Sequence, residues 1–454
     1  MKNYELLPTE ENLIDCLYRD SINRNKDIAY FYNILQAQES MTTIAIDGRW
    51  GSGKTFFVRQ TKLVLNALNP TCGMDDKLKS KIIDRILLFQ DGENKENDSI
   101  AIYYDAWKND NDTDPIFSLI YEIIKQLNID FSLSSMDVIK LAGSIVEMIT
   151  GHNINNIKDI FTSDDPFTKF KEQKSIESKI QEFFTEILAE RGNRLVIFID
   201  ELDRCKPTFA VQFLEQIKHY VFDDRITFVF SINLEQLQHT IKQYYGLNFD
   251  SYRYLDKFFD LRISLPPADM NKFYQQIGFE SESSYYVDSV VKRVIQMFNF
   301  ELREISKFYS QVKSAVYDGA RDSGYNYSFP DQKGKQIIMM YIVPLLIGLK
   351  IANISKYDNF INGRDSEPLI ELFDIDKDAS ILENMLNRGE SFEQKEGKKL
   401  VTYEDIIKHF YDAIFVTNYN NRIYETRLGQ YEFSKESKIF AISVSNMMSP
   451  IAVL

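Results

Sequence analysis

Residues 48 to 55 read Gly-Arg-Trp-Gly-Ser-Gly-Lys-Thr, with glycines at 48, 51 and 53 and a lysine and a hydroxyl directly behind them. Glycine tolerates the dihedrals that turn successive backbone N–H groups inward, so such a run can wrap closely around an anion. A helix starting at Lys54 adds its N-terminal amides and the positive end of its dipole. The run matches G-x-x-x-x-G-K-[ST], in which the ammonium reaches the β- and γ-phosphates of a nucleoside triphosphate and the hydroxyl ligates Mg²⁺. Lys54 and Thr55 take those parts. Gly48, Trp50, Gly51, Ser52, Gly53, Lys54, Thr55 and Phe56 are the candidate nucleotide contacts, with ATP the first choice of nucleotide and GTP the second. A glycine turn that needs no ligand would leave Lys54 without a purpose.

A second set of groups follows the apolar run Arg194–Ile199, as Asp200-Glu-Leu-Asp-Arg204. A carboxylate at the C-terminal end of a buried strand next to the strand of the phosphate loop is where Mg²⁺ is held, directly or through water. Asp200 takes that role. Glu201 is placed to orient and partly deprotonate the attacking water, the γ-phosphoryl being stabilised by positioning and charge. Lys54 and Glu201 head the catalytic candidates, and two more residues join them. Asn233 ends the run Phe228–Ile232 and either contacts the water or γ-phosphate or caps the next helix. Arg303, at the start of a helix, either reaches the phosphates from a lid or sits solvated on an exposed face. Arg204 either acts on a neighbouring subunit's nucleotide or pairs locally with Asp203 or Glu201.

Stretches that must position these groups can be read from hydropathy. Thr42–Ile46, Ser99–Tyr104, Arg194–Ile199, Ile226–Ile232 and Leu261–Leu265 are β-prone, and several are continuously apolar rather than alternating. Strands of that kind, separated by helical segments, predict a parallel sheet covered on both faces: an α/β fold of the P-loop NTPase type. Helix is expected before residue 41, and between the second and third strands at Pro115–Leu127, Met136–Ile149 and Phe167–Glu190, where Ile176, Ile180, Phe183 and Ile187 share a face. The expected organisation is a core over 1–267 with a helical insertion at about 108–193, a helical lid over 268–330 and a helix-rich region over 331–454.

Net charge is −14, which argues against a surface built to coat nucleic acid, although a local basic patch remains open. Cys16, Cys72 and Cys205 are too few and scattered for a disulfide framework, and Met1–Asn12 has no secretion-signal pattern, so a reducing cytoplasm is expected. Ile337–Ala352 is apolar but holds Pro344 and Lys350 and falls short of the roughly 20 residues a spanning helix needs, so it is read as a core helix. The four histidines share no metal-ligand spacing. Trp107 is read as packing the sheet against a helix, and Tyr325, Tyr327 and Phe329 as core or loop packing.

Beyond the generic motif, Asp47-Gly-Arg-Trp-Gly-Ser-Gly-Lys-Thr55 resembles the G-x-W-G-S-G-K-[ST] form of the KAP family of P-loop NTPases. Ile102-Tyr-Tyr-Asp-Ala-Trp-Lys108, Asp200-Glu-Leu-Asp-Arg-Cys205 and Tyr254-Leu-Asp-Lys257 with Leu265-Pro-Pro267 resemble further motifs of that family, in the same order. The resemblance implies an ASCE-type sheet, a helical lid carrying Arg303, and ATP as the usual nucleotide. It also implies links to phage exclusion and defence among bacterial members. Glu201 replaces the usual second Asp and keeps a base, whereas Asn233 stands where Asp is frequent. Many members carry transmembrane helices between the two motifs, but Val138–Ile149 is short and holds Lys140 and Glu147, so no integral span is expected. Three functions follow as expectations: a Mg-dependent ATPase that couples turnover to assembly as a homo-oligomer or with an effector protein, a nucleotide-gated switch, and a DNA-associated ATPase.

Overall fold

Apolar residues on both sides of the runs Ser99–Tyr104, Arg194–Ile199 and Ile226–Ile232 require two covering layers, and the computed structural model shows both. It describes residues 7–87, 98–127, 168–277, 286–316, 332–374, 379–417 and 426–446. The chain divides into two units, one over Leu7–Phe273 and one from Tyr274 onward. In the first, helices α1 (Glu10–Arg19) and α2 (Asn25–Gln36) precede β1 (Thr42–Asp47). Then come α3 (Lys54–Leu68), α4 (Asp76–Leu87), β2 (Ser99–Asp105), α5 (Pro115–Gln126) and α6 (Thr168–Arg191). The unit continues with β3 (Arg194–Asp200), a 3₁₀ turn (Leu202–Arg204), α7 (Pro207–Tyr220), β4 (Ile226–Ile232), α8 (Leu234–Tyr245), α9 (Ser251–Asp256) and β5 (Leu261–Ser264).

The five strands form one parallel sheet in the order β2-β3-β4-β1-β5. This corrects one expectation, because β4 lies between the strand ending at Asp200 and the strand of the phosphate loop. Alternation within each strand feeds two cores. Ile44, Ile46, Val196 and Phe198 join Leu17, Ile28, Phe31, Phe57 and Val58 on the side of α1 to α4. Ala45, Leu195, Ile197 and Ile199 join Ile116, Phe183, Phe213 and Leu237 on the side of α5 to α8. Ile180, Phe183 and Ile187 are buried from α6 as their spacing predicts, whereas the side chain of Ile176 and the whole of Met136–Ile149 lie outside the described residues.

The outer edge of β2 would present unpaired backbone groups. Side-chain amides cover it. Asn66 accepts the Ala101 N–H at 3.1 Å and donates to its carbonyl at 3.3 Å. Gln126 does the same for Tyr103, at 3.2 and 2.6 Å, and Asn69 donates to Ser99 O at 3.0 Å. Lys62 in turn donates to Gln126 Oε1 at 2.8 Å. Burial pushes the Lys62 ammonium down to about 8, with Arg59 adding to the shift. A folded pKa below the unfolded value means that the charge costs stability below about pH 8, and that the cost is relieved as pH rises towards the unfolded value. Lys62→Met is therefore expected to raise the free energy of unfolding at pH 7 by about 1–2 kcal/mol, net of the lost hydrogen bond. Urea denaturation at pH 7 and pH 10 checks it, with the advantage shrinking at pH 10.

In the second unit, α10 (Tyr286–Phe298) and α11 (Leu302–Val316) pack on a long apolar helix, α12 (Lys333–Ala352). Its middle, Ile338–Ile342, is a π-turn that ends two residues before Pro344. Proline lacks an N–H and its ring crowds the carbonyl four residues back, which widens the turn there. A Cβ at Gly348 would stand 2.4 Å from Val294 Cγ1, so glycine lets α12 approach α10 closely. Lys333–Gln336 adds a polar turn that brings the helix to 20 residues, and among the described residues this is the one helix long and apolar enough to cross a membrane; 67% of its most apolar window is buried. It is a core element of its unit. Tyr325, Tyr327 and Phe329 lie outside the described residues.

Candidate nucleotide-binding site

The phosphate loop leaves β1 at Gly48, whose N–H donates to Ile232 O on β4 at 3.3 Å. Gly51 and Gly53 have φ of 88° and 91°, the left-handed region that glycine reaches without cost, and Gly53 stands at the start of α3. A Cβ at Gly48 would sit 3.0 Å from Ser52 Oγ and crowd the Lys54 stem. Lys54 is buried and donates to Gly48 O at 2.5 Å and Arg49 O at 3.0 Å, so its ammonium lies inside the loop. Ser52 Oγ is buried without a hydrogen-bond partner among the described residues. A buried hydroxyl, an ammonium and two positive-φ glycines in one turn are the donor set of an oxyanion cradle, and a phosphate fits it. Thr55 and Phe56 are half-buried in the first turn of α3.

Across β4, the strand β3 ends level with this loop. Asp200 pairs in register with Ser231, and Ile232 with Asp47. Asp200 is 1% exposed, and three donors fix its carboxylate. Ser231 Oγ donates to Oδ1 at 2.7 Å, the Glu201 N–H to Oδ1 at 3.0 Å, and the Tyr103 hydroxyl to Oδ2 at 3.0 Å. Burial, together with the charge of Asp200, pushes the Tyr103 phenol far above its usual range, so it stays protonated and donating. Asp47 Oδ1 accepts the Leu234 N–H at 2.9 Å, which ties the end of β1 to the start of α8.

Glu201 has φ 60° and ψ 25°, a left-handed conformation uncommon for a residue with a side chain. It turns the chain sharply from β3 into the 3₁₀ turn and sets Arg204 beside Glu201, Nη2 to Oε1 at 2.9 Å. Of the local pairings open to Arg204, the one with Glu201 is present. Asp203 is buried and accepts the Trp50 indole N–H at 2.6 Å. Burial raises the Asp203 carboxyl, opposed by that indole and by Lys54. Burial likewise lowers the Lys54 ammonium, opposed in order by Asp203, Asp200 and Asp47. Acidic groups from β1, β3 and the 3₁₀ turn thus share one buried cation. Bringing a triphosphate to so many carboxylates calls for added positive charge, and the hard oxygen donors Thr55 and Asp200 suit Mg²⁺.

The KAP family P-loop domain matches residues 24–317 of this chain. The chain belongs to the KAP family. As a KAP P-loop NTPase it carries a nucleotide-binding fold. A solved structure to which it is similar is the Aeropyrum pernix ORC2 protein in ADPNP and ADP complexes, at 12% identity and a TM-score of 0.32 over 92% of this chain and 98% of that one. No curated protein matches it.

Three of the KAP-like motifs meet in space. Trp50 comes from the phosphate loop, Trp107 from the turn after β2 and Arg204 from the turn after β3, and the guanidinium lies 5.6 and 5.2 Å from the two indole centroids. Trp107 does not pack the sheet against a helix as expected: it is 49% exposed and faces Arg204. Asn233 caps α8, its Oδ1 accepting the Gln236 N–H at 3.2 Å. Arg303 stands in the first turn of α11, in the second unit. Sequence reasoning missed four contributors to this KAP site: Asp47, Tyr103, Ser231 and Arg24. Buried Arg24 donates through Nη2 to Ser52 O at 3.0 Å and to Pro266 O at 2.8 Å, joining the phosphate loop to the segment after β5. The register of β3 and β4 would have revealed Ser231 once the strand order was known. Nothing in the sequence marks Arg24.

Proposed function

We propose that this KAP-family chain is a Mg²⁺-dependent ATPase whose turnover drives its assembly, as a homo-oligomer or with a protein effector, in bacterial anti-phage defence. The observation that carries the catalytic part is the buried Lys54 ammonium, inside a glycine cradle and faced by Asp203, Asp200 and Asp47. Gly48 to Thr55 bind the phosphates through backbone N–H groups and Lys54. Thr55 and Asp200 hold Mg²⁺, which when bound neutralises phosphate charge. Ser231 and Tyr103 keep the Asp200 carboxylate fixed, sparing it reorganisation when ligand arrives. Glu201, next in the chain, orients the attacking water and takes up its proton. Asn233, at the end of β4, serves as sensor. The defence role rests on the family resemblance.

A second version of this function makes nucleotide occupancy itself the signal, with slow hydrolysis only resetting it. Phosphate release and light scattering on the purified chain, with Mg·ATP, Mg·GTP and a non-hydrolysable analogue, test the proposal. Turnover preferring ATP, with a change of mass between nucleotide states, is the expected result. A chain that binds neither nucleotide overturns it, and assembly on the analogue without measurable turnover favours the switch.

A further inference from the structure

The ATPase reading leaves Arg204 and the indoles of Trp50 and Trp107 without a part, although three separate segments bring them together. Arg204 lies within cation–π distance of both indoles, at 5.6 and 5.2 Å, and its Nη2 reaches Glu201 Oε1 at 2.9 Å. Trp50 is itself fixed, because its Nε1–H donates to Asp203 Oδ2 at 2.6 Å. Glu201 sits in a left-handed backbone conformation at the end of β3, with Arg204 as a partner of its carboxylate. A flexible arginine on the surface would lose its freedom at a cost; a guanidinium flanked by two aromatic faces has already lost it. Both tryptophans are half-exposed, at 46% and 49%, and so frame the guanidinium rather than fill the core.

We infer that Arg204 is a positioning residue for Glu201: flanked by Trp50 and Trp107, it fixes the carboxylate that orients the attacking water. Because Trp50 belongs to the phosphate loop, the loop that grips the nucleotide also sets the place of the base. The inference rests on the Glu201 role proposed above, and it assigns Arg204 to its own subunit's site rather than a neighbour's.

Steady-state kinetics on the full chain test it. Arg204→Ala is expected to lower kcat on the order of 10- to 10²-fold, the scale of a small misplacement, with KM and calorimetric ATP affinity unchanged within about threefold. Arg204→Lys, which keeps the charge without the planar stack, is expected to recover part of that loss. In a Glu201→Gln background, Arg204→Ala should cost nothing further, since the two residues act as a unit. An unchanged kcat in Arg204→Ala, a loss confined to KM, or additive losses in the double variant each overturn the inference. So does recovery of activity on mixing Arg204→Ala with Glu201→Gln, which would place Arg204 in the partner's site. If Glu201→Gln alone keeps full kcat, the Glu201 role fails first, a separate result. Intrinsic fluorescence gives an independent readout, because Trp50 and Trp107 are the only tryptophans in the chain. Arg204→Ala should shift their emission with an unchanged far-UV spectrum, and an identical emission spectrum counts against the clamp.

Discussion

Lys54→Ala is expected to remove nucleotide binding almost entirely. The ammonium supplies charge-assisted hydrogen bonds to phosphate, each worth about 1.5–3 kcal/mol, so affinity falls at least about 10- to 100-fold from this term alone. A second effect adds to it. Lys54 donates to the carbonyls of Gly48 and Arg49, and without it two backbone oxygens face the phosphates unpaired. Asp203, Asp200 and Asp47 also lose the cation they share, so the site becomes a field of negative charge that repels the ligand. Titration calorimetry with Mg·ATP checks this: wild type should give heat of association and the variant none. Equal affinity in both would remove the phosphate loop from the function altogether.

Glu201→Gln should separate binding from turnover. Glutamine keeps the length of the side chain and can still accept from Arg204, but it cannot take a proton from water. A loss of general-base assistance on the order of 10²–10⁴-fold in kcat follows, about 3–5 kcal/mol of barrier. Affinity for Mg·ATP should hold or rise, because one negative charge has left the site. Single-turnover phosphate release beside calorimetry makes the measurement. A variant locked on ATP that still assembles or engages its partner supports the switch, and one that hydrolyses at the wild-type rate assigns the water to another residue.

Much of this is legible in the amino-acid sequence. The five strands of the parallel sheet lie within one residue of the β-prone stretches, and β2, β3 and β4 read as continuous apolar runs because burial on both faces leaves no room for alternation. The phosphate loop was legible because glycine is needed where φ is positive, and Gly51 and Gly53 are such positions. Strand order was not. Asp200 was expected beside β1, yet β4 intervenes, since spacing along a chain does not encode which strand enters the middle of a sheet. Residues that act across the sheet escaped for the same reason: Ser231 reaches Asp200 only through the pairing of β3 with β4, and Tyr103 through that of β2 with β3. Trp107 was assigned to packing because large aromatic residues usually bury, and here an exposed cation–π contact competes successfully.

The position of β1 has a consequence for how the chain is made. Its two neighbours are β4 and β5, so Thr42 must wait for Thr227, and Ile44 for Leu261, before either finds its partner. During synthesis the segment that will grip phosphate emerges early, while the strands that hold it emerge last. The backbone edges of β1 then stay unpaired, open to water or to other nascent chains, until translation has passed residue 264. A ribosome stalled before that point would carry a glycine loop with no sheet to brace it. Arrested chains ending on either side of residue 264, probed by limited proteolysis, would show the moment at which this half of the molecule closes.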